Sequence, residues 1–178
     1  MTAKYIADTI KKILSKNQDL LEIAFRQRAK FEGWLKFEIA KKFQESGKDT
    51  KVEYSIAKGH VDLFADNCLI ELKTPNTSYT CEGVDPKTRP ITDNVNSIIS
   101  DVDKLRNITE DHSYDLFIAF VMFPIDKDKD EDKNTTSKYI EHVNRIENHI
   151  QAQGLQIIKD EREVTIKSIP ALVYVAKV

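Results

Sequence analysis

The sequence predicts one mixed α/β domain over residues 1–178, a β-sheet flanked by helices. Three patterns predict this fold: amphipathic helical spacing at both ends of the chain, polar–apolar alternation at residues 51–73, and a nearly continuous apolar run at residues 114–123. The length of 178 residues agrees with one domain, because domains usually contain ~100–150 residues. An alternation of helices and strands in this order is typical of a mixed sheet.

Two helices are predicted before the first strand. The first covers residues 2–16, where apolar residues share one stripe and Thr2 is the N-cap candidate. The second is a longer helical pattern over residues 19–46, and Gly47 is its natural stop. Gly33, in the middle of this pattern, indicates a bend or the close approach of another segment.

Three strands follow within residues 51–73, where polar and apolar residues alternate in "KVEYSIA", "HVDLFA" and "CLIELK". Turn residues separate these strands at Lys58-Gly59 and at Asp66-Asn67. Residues 74–91 contain three prolines and have no periodicity. A structureless segment of this length is uncommon inside a compact domain, so we expect a functional or disordered loop.

The second half of the chain returns to regular patterns. Thr92 is predicted to cap a helix that ends near Asn107, and residues 114–123 form a strand buried on both faces. Residues 126–134 are a solvated charge run, and residues 137–153 form an amphipathic helix. Two or three strands then complete the chain, in "LQIIK", "EVTI" and "ALVYVAKV".

Composition excludes several classes of protein. The chain has 27 Lys plus Arg and 29 Asp plus Glu, so overall positive charge does not hold it on nucleic acid, although a local basic patch could. No apolar run approaches the ~20 residues that span a bilayer, and the first residues lack the apolar core of a signal peptide. Cys68 and Cys81 lack metal-site spacing. We therefore expect a cytoplasmic protein with no membrane association.

The hairpin at residues 60–73 is the most informative segment. A two-residue turn at Asp66-Asn67 pairs positions whose numbers sum to 133, and so does a four-residue loop with the same centre. Asp62 then lies opposite Glu71. The register predicts an apolar face of Val61, Leu63, Ala65, Cys68, Ile70 and Leu72. It predicts a second face of His60, Asp62, Phe64, Leu69, Glu71 and Lys73.

The second face is either a solvated sheet surface or a site. Two carboxylates directly opposite each other, with Cβ atoms ~4.5–5.5 Å apart, destabilise a strand pair. A divalent cation between Asp62 and Glu71 would remove this penalty, and hard oxygen ligands suit Mg²⁺. Lys73 points to the same side and could meet an anionic substrate or a metal-bound water. These groups suit attack on a phosphodiester.

The segment "GHVDLFADNCLIELKT" resembles the active-site signature of the PD-(D/E)XK nuclease superfamily, which has the restriction-endonuclease-like fold. In that family an acid near the end of one strand is followed, one hairpin later, by an acid, any residue and lysine. Asp62 matches the first acid, and Glu71-Leu72-Lys73 match the rest. Val61 stands where the family has proline. The element order over residues 19–123 also agrees with the family core of helix, three strands, helix and strand.

The resemblance implies a Mg²⁺-dependent DNA endonuclease that leaves 5′-phosphate ends, with Mn²⁺ as a substitute. Asp62, Glu71 and the Leu72 carbonyl would hold the metal, and Lys73 would position or deprotonate the attacking water. Cutting both strands usually requires two such sites, which predicts a homodimer. The alternatives are a nucleic-acid-binding or scaffold protein that keeps the fold without hydrolysis and an unrelated α/β binding module.

Further candidates lie around this motif. The family often adds a carboxylate from the preceding helix, and Glu38, four residues after Trp34, matches that position. Glu38 is then a metal-site acid or a residue at the edge of the apolar stripe. Glu53 and His60 are weaker candidates, and Trp34 is predicted to belong to the core.

Basic and polar residues after the motif would contact the phosphates that flank the cleaved bond. These candidates are Thr74, Lys87, Arg89 and Lys104. Ordinary solubility explains any one of them equally well.

Overall fold

The chain folds into a six-stranded mixed sheet with helices on both faces, in a computed structural model that describes residues 1–56, 59–86, 90–107, 114–126 and 138–178. The helices are α1 (Ala3–Lys16), α2 (Gln18–Arg26), α3 (Glu32–Glu45), α4 (Ile91–Asn107) and α5 (Lys138–Ala152). The strands are β1 (Thr50–Ile56), β2 (Gly59–Ala65), β3 (Cys68–Lys73), β4 (Asp115–Met122), β5 (Ile158–Ile166) and β6 (Ile169–Lys177). The mixed α/β class predicted from the sequence is confirmed.

The strand order is β1-β2-β3-β4-β6-β5, and β3 and β4 are the parallel pair among the described strands. The connection from β3 to β4 passes through α4, as a parallel pair requires a crossover. β4 lies in the centre and is buried along almost its whole length, which confirms the strand predicted from the apolar run.

Helices cover the two faces of the sheet in separate groups. α1, α2 and α3 contribute buried residues to one core, which includes Leu35 of α3 and Ile70 of β3. α4 and α5 pack on the other face, where Val95 and Ile146 join Phe120 of β4. The β2–β3 hairpin is therefore enclosed between α3 on one side and α4 on the other.

The single helix predicted over residues 19–46 is wrong, because the structure has two helices there. α2 ends at Arg26 and α3 begins at Glu32, and Arg28 between them has a φ of 51°. The guanidinium of Arg28 donates to the carbonyls of Thr77, at 2.6 Å, and Tyr79, at 2.8 Å. Gly33 lies inside α3, with no atom within 4 Å of the position that a Cβ would take, so it marks neither a bend nor a close approach.

The other elements differ from expectation only at their ends. Thr2 caps α1, because its hydroxyl accepts the amide of Tyr5 at 3.2 Å. α4 begins one residue before Thr92, the predicted cap. The last two strands form one hairpin, since "EVTI" continues the strand that begins at Ile158. Most of the charge run at residues 126–134 lies outside the described residues. Within the described ranges, no helix has both the length and the apolar character to cross a membrane.

Candidate active site

The predicted register of the β2–β3 hairpin is confirmed next to the turn. Ala65 pairs with Cys68, Phe64 with Leu69, and Leu63 with Ile70. Asp66 in the turn has a φ of 53°, a conformation that Asp tolerates better than most residues. The turn residues therefore determine which side chains of the two strands face each other.

The strands stop pairing one step further, at Asp62. The Oδ2 atom of Asp62 accepts a hydrogen bond from the amide of Leu72 at 2.9 Å. This side-chain oxygen takes the place of the backbone carbonyl that would pair with the amide in a regular strand pair. On the other side of Asp62, Glu53 of β1 has a φ of 48°. Val61, predicted on the face of Leu63, instead packs in the cluster of Phe64 and Leu69, since the alternation of β2 changes at Asp62.

The carboxyl groups of Asp62 and Glu71 meet at this point and form a hydrogen bond. The protonated Glu71 carboxyl donates a hydrogen bond to the Asp62 carboxylate. Burial raises the pKa of Glu71, which is 3% exposed, and the neighbouring Asp62 raises it further, to about 8. Burial also raises the pKa of Asp62, but hydrogen bonds from the Leu72 amide, Glu71 and Lys36 outweigh burial and hold that pKa below its usual value.

Two lysines flank the carboxyl pair from opposite faces of the sheet. Lys36 of α3 places its Nζ 3.1 Å from Oδ1 of Asp62 and also contacts Glu53. Lys104 of α4 contacts Oε1 of Glu71. Burial lowers the pKa of Lys36, but its two carboxylate partners raise it above the usual value, so Lys36 stays charged although it is only 7% exposed.

Lys36 is a residue that sequence reasoning missed. It occupies the buried side of α3 together with Leu35, Ile39 and Phe43. A lysine on an apolar stripe is the signal that could have identified it, because lysine is rarely buried without a partner. The sequence could not specify that partner, since the packing of α3 against β1 and β2 determines it.

Lys73 lies between two further acids. Its Nζ is 3.0 Å from Oδ2 of Asp101 on α4 and 3.8 Å from Oε1 of Glu32 on α3. Burial lowers the pKa of Lys73, but Asp101 and Glu32 raise it above its usual value. A small cavity beside Lys73 is lined by Lys30, Glu32, Thr74, Pro75, Asn94 and Ser97.

The acid that α3 brings to this region is Glu32, and Glu38 lies elsewhere. Oε2 of Glu32 accepts the amide of Thr74 at 3.3 Å, and burial raises the pKa of Glu32. Two residues along an α-helix correspond to about 200° of rotation. Glu38 therefore lies on the opposite side of α3 from Lys36, where it is partly exposed. The structure does not bring Glu38 to the Asp62–Glu71 pair.

The residues predicted to bind flanking phosphates have different surroundings. Thr74 is 1% exposed, and its hydroxyl has no hydrogen-bond partner among the described residues. Lys104 is about one-third exposed and forms the ion pair with Glu71. Lys87 and Arg89 lie outside the described residues. His60, a weaker candidate, is exposed and contacts the Ser55 hydroxyl at 3.1 Å.

Carboxyl groups outnumber ammonium groups around the hairpin. Five carboxyl groups and three ammonium groups form two networks of ion pairs and hydrogen bonds, and with Glu71 protonated they carry four negative and three positive charges. The carboxyl groups belong to Glu32, Glu53, Asp62, Glu71 and Asp101, and the ammonium groups to Lys36, Lys73 and Lys104. No cluster of three or more His, Cys, Asp and Glu side chains in the described part of the chain is arranged to hold a metal. The predicted ligand set contains only two carboxylates, with a carbonyl as the third donor.

Comparisons with protein-family models, with curated proteins and with solved structures found no match to this chain.

Proposed function

We propose that this chain is a Mg²⁺-dependent DNA endonuclease that hydrolyses phosphodiester bonds and leaves 5′-phosphate ends, with Mn²⁺ as a substitute. The observation that carries the proposal is the hydrogen-bonded pair of carboxyl groups, Asp62 and Glu71, which lies two residues from Lys73 in the chain. Two carboxyl groups that share a proton offer a divalent cation a site once the proton leaves.

The carboxylates of Asp62 and Glu71 and the carbonyl of Leu72 would hold the metal. When bound, a divalent cation lowers the pKa of a coordinated water and offsets negative charge that develops on phosphate. Glu71 must lose its proton to become a ligand, and its contact with Lys104 favours the ionised form. Asp62 already carries its charge, since its pKa lies below the usual value.

Lys73 would act on the phosphate or on the attacking water. Because Asp101 and Glu32 hold its pKa above the usual value, Lys73 is an ammonium group at neutral pH. An ammonium group can donate hydrogen bonds to a phosphate oxygen and stabilise charge in the transition state. Cleavage of both strands of a duplex would require two such sites, so the proposal includes a homodimer.

The proposal is tested by incubating the protein with plasmid, linear, single-stranded and branched DNA, with and without Mg²⁺. We expect Mg²⁺-dependent cleavage by the wild type and none by Asp62→Asn. Asp66→Asn is the matched control, because it removes a carboxylate from the same hairpin at an exposed turn residue that tolerates Asn. Equal activity of the two variants would overturn the assignment of the site.

Lys73→Ala separates catalysis from binding. It should leave Mg²⁺ and DNA binding largely intact and lower turnover by about 10²-fold or more, the scale of a lost charge stabiliser. Single-turnover cleavage and a binding titration with the same DNA measure the two effects. A parallel loss of binding and turnover would show that Lys73 holds substrate rather than acting in the reaction.

A DNA-binding scaffold without hydrolysis is the second candidate. It is favoured by the contacts of Lys36 and Lys104, which already engage one oxygen of each carboxylate. A scaffold would bind DNA equally well in EDTA and in Mg²⁺ and cleave none of the substrates.

A further inference from the structure

The side of α3 that faces away from the sheet carries one exposed and one partly buried aromatic residue. Phe37 is 60% exposed, and Trp34, one turn earlier, is only partly buried against the core. Lys41 follows Phe37 by four residues, so the three side chains form one stripe along the helix.

Exposed lysines lie at both ends of this surface. Lys30, just before α3, and Lys41 are exposed, and neither forms a salt bridge with any described residue. We refer to Lys30, Trp34, Phe37 and Lys41 as the outer stripe. Trp34 and Lys41 are separated by about 10 Å along the helix axis. Glu38 lies on the same side of α3, between Trp34 and Lys41, so the positive charge of this surface is at its two ends. A flexible anionic chain that carries aromatic groups matches lysines at the ends and rings between them.

The outer stripe is continuous with the candidate active site. Lys30 lines the small cavity beside Lys73 together with Glu32. A ligand that lies on the stripe would therefore reach Lys73 at the Lys30 end.

We propose that the outer stripe binds an unpaired nucleic-acid strand, so that the substrate is DNA with a single-stranded segment beside the cleaved bond. Every base has a face that can stack on Trp34 or Phe37, whereas the bases of a duplex are already stacked on one another. Lys30 and Lys41 supply the charge that phosphates require. This inference rests on the proposed nuclease function, because it specifies the substrate class of the same site.

Trp34 makes the proposal directly measurable, because it is the only tryptophan of the chain. We expect an oligothymidylate of about 12 nucleotides in EDTA to quench its fluorescence, because a base stacks on or near the indole. Phe37→Ala should weaken binding by about 10-fold or more, and Phe37→Tyr should retain it. Lys41→Gln should reduce the salt dependence by about 0.7 in log–log slope, the value for one phosphate of a single strand.

Ile158→Ala is the matched control, because Ile158 is 56% exposed on β5 and lies outside the stripe. It should leave binding unchanged. Unaltered binding by Phe37→Ala would overturn the proposal. The proposal would also be overturned if Phe37→Ala changed only the self-association of the protein, measured by sedimentation without the oligonucleotide.

Failure of this inference and failure of the nuclease proposal are distinguishable. Binding in EDTA does not depend on hydrolysis, and Asp62→Asn should bind the oligonucleotide as the wild type does. Cleavage of duplex plasmid in Mg²⁺ without binding of the single strand would support the nuclease proposal and contradict strand binding by the outer stripe. Strand binding that requires Phe37, with no cleavage of any substrate, would support binding by the outer stripe and contradict the nuclease proposal.

If both proposals are correct, a duplex with a single-stranded tail should be cleaved faster than a blunt duplex, and Phe37→Ala should remove the difference.

Discussion

The hydrogen bond between Asp62 and Glu71 couples protonation of Glu71 to folding. Glu71 carries the raised pKa because it is the more deeply buried acid, whereas Asp62 receives the Leu72 amide and the Lys36 ammonium. The raised pKa of Glu71 favours a pair with one negative charge, and Lys36 and Lys104 lie on either side of it. Two charged carboxylates in this position would repel each other with little water to screen them.

The raised pKa of Glu71 predicts how stability changes with pH. The folded state binds the Glu71 proton more tightly than the unfolded state. The contribution of this proton to the free energy of unfolding is therefore complete below pH 4.5 and disappears as pH rises through about 8. The wild type in EDTA should lose up to about 1.4 kcal/mol of unfolding free energy per pH unit in this window from Glu71. Glu71→Gln should lower this slope, because Gln keeps the hydrogen bond to Asp62 without ionising.

Urea unfolding between pH 5.5 and 8.5 measures both slopes. The Asp66→Asn variant should follow the wild type. Parallel curves for wild type and Glu71→Gln would contradict the raised pKa.

The two acids of α3 should contribute differently to turnover. Glu32→Gln removes a carboxylate that contacts Lys73 and Thr74, and the misplaced ammonium should cost about 10-fold or more in turnover. Glu38→Gln should stay within about twofold of wild type, because Glu38 lies on the far side of the helix. Single-turnover cleavage compares them, and a larger loss with Glu38→Gln would reverse the assignment.

The segment between α2 and α3 connects the helices to the loop after β3. Arg28 donates to the carbonyls of Thr77, Tyr79 and Asp85, and the side chain of Asn76 donates to the Arg28 carbonyl at 2.7 Å. Loop carbonyls that would otherwise lack partners are satisfied in this way. The loop begins directly after Lys73 and Thr74, so Arg28 also supports one edge of the candidate site.

Arg28→Gly should destabilise the protein by about 1–3 kcal/mol through the loss of these hydrogen bonds. Glycine accepts the φ of 51° without strain, so the backbone itself adds little to the loss. Lys167→Gly is the matched control, because Lys167 has a φ of 54° and an exposed side chain that pairs with Asp19. Urea unfolding gives the free energies, and limited proteolysis should show faster cleavage within residues 77–86 only for Arg28→Gly. Equal stability of the two variants would contradict a stabilising role for the Arg28 hydrogen bonds.

Individual elements show where sequence reasoning succeeds and where it stops. The hairpin register depends on local turn chemistry at Asp66-Asn67, so the pairs from Ala65–Cys68 to Leu63–Ile70 could be predicted. The end of strand pairing at Asp62 could not be predicted. The break between α2 and α3 could not, because it depends on Arg28 reaching a loop about 50 residues away. Glu32, Lys36 and Asp101 were missed for the same reason, since only tertiary packing of α3 and α4 brings them to the hairpin.

The fold as a whole explains why the charged hairpin is buried. α3 and α4 pack on opposite faces of the sheet, and each brings both an acid and a lysine to β2 and β3. Polar groups in such a position are costly unless all of them are paired. The site therefore needs both helical layers, and the mixed α/β class predicted from the sequence is the framework that supplies them.

Titration calorimetry with MgCl₂ at pH 7, in two buffers of different ionisation enthalpy, tests most directly whether the Asp62–Glu71 pair is a divalent-cation site. We expect binding by the wild type with release of up to one proton per ion, because the raised pKa of Glu71 favours its protonated form and Glu71 must ionise to become a ligand. Asp62→Asn should abolish binding, and Asp66→Asn should bind as the wild type does. Absence of binding, or binding without proton release that persists in Asp62→Asn, would contradict the account.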